Sequence, residues 1–102
     1  MPAQIEQLRG RISDLCRQYG VRRLELFGSA ARDDFDPVNS DFDFLVEFHD
    51  AGWKGAFRRY MGFKLAMERL LERSVDLVEP ETISNPYFSR VANEHKLLVY
   101  AA

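Results

Sequence analysis

Three aspartates and a glycine–serine pair are the residues whose types and spacing could do chemistry. Asp41 and Asp43 open the run Asp41-Phe42-Asp43-Phe44-Leu45-Val46-Glu47-Phe48. Strand alternation puts both carboxylates on one face as neighbours. Like charges so close repel, and a cation between them relieves the repulsion. Magnesium suits the pair, because it prefers oxygen ligands, keeps waters and joins one or two carboxylates with substrate phosphates. The same pair would also serve a solvated strand start whose acids only discourage edge pairing. Asp76 stands between Val75 and Leu77 in a short run that should be largely buried, where an acid is costly unless paired, hydrogen-bonded or metal-bound. A surface position on an edge strand is the alternative. If its strand lies beside that of Asp41, three carboxylates converge, an arrangement suited to two-metal phosphoryl or nucleotidyl transfer.

The segment Phe27-Gly28-Ser29-Ala30-Ala31-Arg32 follows an apolar run. Backbone N–H groups at a helix start attract anions, and glycine lets a phosphate approach closely. A serine hydroxyl adds a donor, and Arg32 adds charge or braces the loop. Equally, Gly28 would make a plain turn and Ser29 would cap a short helix through about Arg32.

These residues need elements to hold them. Ile5, Leu8, Ile12, Leu15 and Tyr19, with Cys16 beside them, recur at helical spacing and predict a helix from about Gln4 to Tyr19, ended by Gly20. Val21 to Phe27 reads as a strand of imperfect alternation. Residues 33–40 read as a loop, and Asp41 to Phe48 as the clearest strand, with Phe42, Phe44, Val46 and Phe48 on one face. Phe57, Tyr60, Phe63, Met67, Leu70 and Leu71 give the apolar stripe of a helix from about Gly55 to Arg73. Val75 to Val78 is a short strand stopped by Pro80. Pro86 starts a last helix to about Glu94, and Lys96 to Tyr100 a closing strand. The order predicts an α/β (α+β) domain, a mixed sheet of about four strands with helices packed against it.

The 102 residues suit a single domain spanning 1–102, and 46% hydrophobic content is enough for a core. A net charge of −2 without a basic face argues against an extended nucleic acid as substrate. Cys16, the only cysteine, precludes an internal disulfide and falls on the first helix's apolar stripe. No apolar run reaches membrane-spanning length and no signal-peptide region opens the chain, so the expected compartment is the cytoplasm, with no membrane partner.

Together, Gly28-Ser29-Ala30-Ala31-Arg32, then Ser40-Asp41-Phe42-Asp43-Phe44-Leu45-Val46, then Val75-Asp76-Leu77-Val78 resemble the DNA polymerase β-type nucleotidyltransferase superfamily. Within it they are most similar to the minimal nucleotidyltransferases, the MNT antitoxins encoded beside HEPN-domain toxins. The resemblance runs from the first helix to about Pro80. It departs from the family where Asp33 stands in place of the glycine that commonly follows the arginine. The resemblance implies Asp41, Asp43 and Asp76 as catalytic metal ligands for a pair of Mg2+ ions and Gly28, Ser29, Arg32 and Ser40 as the nucleotide site. It implies ATP as substrate and AMP transfer to a hydroxyl, a tyrosine of the cognate HEPN ribonuclease. Two other readings remain: an antitoxin that masks its toxin by binding alone, and transfer to a small molecule of the aminoglycoside type. The chain has no second domain to build a deep pocket for the latter. His49, His95, Trp53, Lys54, Glu47, Tyr87 and Phe88 are assigned no chemistry.

Overall fold

The computed structural model describes residues 1–32, 41–49, 55–79 and 95–102. Its elements are α1 (Ala3–Gln7), α2 (Arg9–Gln18), β1 (Val21–Phe27), a 3-10 turn (Gly28–Ala30), β2 (Phe42–Phe48), α3 (Ala56–Leu71), β3 (Val75–Val78) and β4 (Leu97–Ala101). The strands form one sheet in the order β3-β2-β1-β4. β1 pairs antiparallel with β2 and β4, and β2 pairs parallel with β3. The expected mixed sheet with packed helices is therefore present. The expected loop at 33–40 and the helix after Pro86 lie outside the described residues.

One face of the sheet carries the core. Leu24, Leu26, Phe42, Phe44 and Val46 are fully buried there, with Ile5, Ile12 and Cys16 from the first two helices and Phe63, Met67 and Leu71 from α3. Burial raises the Cys16 thiol to about 12, against a small opposing pull from Arg17, so it stays protonated. Two aromatic contacts tie α3 to its neighbours. Phe63 meets Phe48 edge-on at 6.1 Å and Tyr19 at 6.0 Å.

Two expectations about these elements need correction, and one irregularity gains its cause. The first helix is two segments, broken at Leu8 (φ −100°), two residues before Gly10, a poor helix former. Hydrogen bonds still cross the break, from Leu8 N–H to Gln4 O (3.1 Å) and from Ile12 N–H to Leu8 O (2.8 Å). The imperfect alternation of β1 is a β-bulge: Val21 pairs with Phe48 and Arg23 with Glu47, leaving Arg22 as the extra residue. The bulge returns Leu24 and Leu26 to the core face. Phe57 does not belong to the apolar stripe of α3, since it is 77% exposed in the first turn, and the buried stripe starts at Phe63.

Candidate functional site

The site lies on the other face of the same strands. In β2, Phe42 and Phe44 point into the core, so Asp43 and Leu45 emerge on the opposite side. The parallel register sets Asp43 directly beside Asp76. Paired residues share a face, and neighbouring strands lie about 4.8 Å apart. The two acids, distant in sequence, are thus adjacent. The antiparallel register sets Phe27 on the other side of Asp43, so Phe27, Asp43 and Asp76 form one row across three strands. Phe27 of that row is buried with Leu45, and the half-buried Val78 packs against them in a small apolar cluster separate from the main core.

Asp43 is half-buried, whereas Asp41 and Asp76 are exposed. The expected burial of Asp76 is not found. β3 is an edge strand with one covered face, so Val75 and Leu77 turn into the core and Asp76 turns out to solvent. Burial therefore gives no reason for Asp76 to be bound, and its register with Asp43 gives one. Asp41 immediately precedes β2, on the approach to the pair.

The glycine turn closes the row. Gly28 has φ +71°, a left-handed conformation that side chains rarely adopt. A Cβ there would run into the Asp43 carboxylate, with Cγ at 3.2 Å. Only glycine lets the chain pass this close to the acid. The N–H groups of Ala31 and Arg32 return to Gly28 O at 3.0 and 3.3 Å, which winds the turn. The expected helix capped by Ser29 is instead a 3-10 turn that begins at Gly28, with Phe27 at the cap position and no side-chain cap. Gly28's left-handed backbone, not the serine, starts the turn, which leaves Ser29 inside it and half-buried. Arg32 follows and is exposed. Ser40, Trp53, Lys54, Tyr87 and Phe88 lie outside the described residues.

Among the described residues no three His, Cys, Asp or Glu side chains stand together as a ready-made metal cage. The arrangement is a pair of acids beside a backbone cradle that a Cβ would fill. That donor set fits magnesium, which takes a few carboxylates and completes its shell with water and phosphate oxygens. The remaining candidates stand apart: His49 and His95 are exposed, and Glu47 pairs with Arg22 at 3.4 Å.

The model of the nucleotidyltransferase domain family matches residues 7–99. The chain belongs to that family. This nucleotidyltransferase is 33% identical, over 94 residues that cover 92% of each chain, to a Methanocaldococcus jannaschii protein provisionally named a protein adenylyltransferase. A second protein of that organism and provisional name is 28% identical over 94 residues. Among solved structures, one described, again provisionally, as a minimal nucleotidyltransferase superposes with a TM-score of 0.66 at 31% identity, covering 88% of this chain and 91% of that one. A toxin–antitoxin structure with AMP-PNP superposes with a TM-score of 0.69 over 92% of this chain and 73% of that one; at 22% identity it speaks to the fold alone. The enzyme is thus a nucleotidyltransferase of the minimal type.

Two residues that hold β3 were not singled out by their chemistry in the sequence. The Tyr60 hydroxyl donates to Leu77 O (2.7 Å), and the Glu68 carboxylate accepts from Val75 N–H (2.9 Å). The hydrogen bond from Val75, then that from Lys64, holds the Glu68 carboxyl below its ordinary pKa. Their spacing, Tyr60-Lys64-Glu68 at four-residue steps, was the available signal.

Proposed function

We propose that this nucleotidyltransferase, acting as one minimal domain, moves AMP from ATP to a tyrosine hydroxyl of a cognate HEPN-domain toxin. The observation that carries the reading is the register of Asp43 with Asp76 beside the Gly28 turn. The provisional name of the Methanocaldococcus jannaschii relatives supports a protein acceptor, and AMP-PNP in the toxin–antitoxin of like fold suits ATP as donor.

Asp43 and Asp76, with Asp41 at the approach, would hold magnesium. Bound there, magnesium neutralises phosphate charge and stabilises the charge that develops as the phosphoryl group transfers. The Gly28 turn and the Ser29 hydroxyl receive the outer phosphates, with Arg32 and Ser40 completing the nucleotide site. Asp76, exposed at the sheet edge, faces the incoming acceptor and takes the proton from its hydroxyl. The oxygen–Pα bond forms, the bond from Pα to the bridging oxygen breaks, and pyrophosphate leaves. Orientation of the hydroxyl in line with the departing group supplies much of the rate.

Mass spectrometry of the HEPN-domain partner, after incubation with this enzyme, ATP and magnesium, tests the reading. One added AMP on a tyrosine is expected, lost with Asp43→Asn while the complex still forms. An unmodified partner that Asp43→Asn still silences would instead establish masking by binding alone.

A further inference from the structure

β3 is four residues long and lies at the sheet edge, yet it carries Asp76. Short edge strands fray, because one side of their backbone has no ladder partner. The pairing with β2 identifies that side. Phe42 N–H donates to Ser74 O (3.2 Å), so the backbone of Ser74 faces β2. Alternation then turns the N–H and C=O of Asp76 toward β2 and those of Val75 and Leu77 away from it. Both Val75 and Leu77 are buried, so their outward groups need partners within the protein.

α3 supplies them. Glu68 takes the Val75 N–H and Tyr60 caps the Leu77 carbonyl, the residues on either side of Asp76. Between them Lys64 holds Glu68 at 3.1 Å. The three side chains lie on one stripe of α3, one turn apart, and stand where a fifth strand would. Burial raises the Tyr60 hydroxyl above its ordinary pKa, against Lys64 and with the carboxylates of Glu79 and Asp76, so it remains a donor.

We infer that Tyr60 and Glu68 are positioning residues that clamp the outer edge of β3 and so fix Asp76 against Asp43. The clamp deepens the metal-dependent transfer proposed above and rests on that reading for its purpose. Its physical content is independent: without the clamp, β3 opens and the second carboxylate leaves the row. Because only one acid is displaced, the cost falls on metal use more than on nucleotide binding.

The test is amide hydrogen exchange in the metal-free protein, joined to a metal titration of AMP transfer. Tyr60→Phe keeps the ring and removes the donor; Glu68→Ala removes the acceptor; Glu68→Gln keeps an acceptor. Losing one such hydrogen bond is expected to speed exchange at Asp76 about five- to tenfold relative to the Leu45 amide, which alternation turns toward β1. The magnesium concentration for half-maximal transfer should rise by a similar factor while the KM for ATP holds, and Glu68→Gln should restore most of both. Exchange at Asp76 that changes only in step with Leu45 in both Tyr60→Phe and Glu68→Ala would overturn the clamp. If Glu68→Ala fails to fold, Tyr60→Phe decides alone. A wild-type protein that transfers no AMP would sink the functional reading and leave the exchange result to judge the clamp.

Discussion

The two faces of this sheet are made by the same strands and do opposite work. On the helix-covered face, Leu24, Leu26, Phe42, Phe44 and Val46 have no exposure and share one core with α1, α2 and α3. On the other face, Phe27 and Leu45 form a small buried pair among the described residues, and the row that starts at Phe27 ends in two adjacent carboxylates. One face gains stability by excluding water. The other gives some up, because it sets like charges side by side and holds a left-handed turn, which the proposed function assigns to a cation and a phosphate. Alternate residues of β2 therefore report on different properties, although each is bonded to the next.

The largest effect expected from this contrast is on the core face. Phe44→Ala should lower unfolding free energy by about 3–5 kcal/mol, read from urea denaturation. A cost below about 1 kcal/mol would mean that the core is not where stability lies. Next comes Gly28→Ala, which forces a Cβ against the Asp43 carboxylate in a left-handed backbone. It should cost roughly 1–3 kcal/mol and weaken ATP binding, measured by calorimetry, even where the variant remains folded. Asp76→Asn should do the reverse to stability. In metal-free buffer it removes a like charge beside Asp43 and should raise stability by about 0.2–1 kcal/mol while abolishing AMP transfer. A destabilised Asp76→Asn would show that the carboxylate serves the fold.

The smallest effect is pH dependence at the border of the two faces. Glu68 has a lowered pKa in the folded state, so its ionised form favours folding. That contribution is fully present above the ordinary glutamate pKa and is lost as pH falls through the lowered one. Denaturation curves across the acid range should therefore show a shallower loss of stability for Glu68→Gln than for the wild type. Parallel curves would remove Glu68 from the account.

Much of this arrangement was readable before any coordinates. Alternation from Asp41 to Phe48, interrupted at Leu45, separates the two faces of β2, because a strand repeats every two residues. The run from Val75 to Val78 reads as a strand for the same reason, and Gly28 is legible as a break between apolar strand and turn. The misreadings share a cause. Burial of Asp76 was inferred from its apolar neighbours, but an edge strand covers one face only. Phe57 fits the helical period of α3, yet the period cannot say where the sheet stops. Tyr60 fits it too, and its hydroxyl found a backbone carbonyl seventeen residues away in sequence.

The chain's local chemistry thus determined which residues alternate, where the backbone must turn through glycine and which side chains bear charge, since each depends on near neighbours. Tertiary structure alone decided that Asp43 lies beside Asp76, that Gly28 presses on the first of these acids, and that α3 fastens the strand carrying the second. Strand order and register are set by packing the whole sheet against its helices, and no stretch of sequence contains that information by itself.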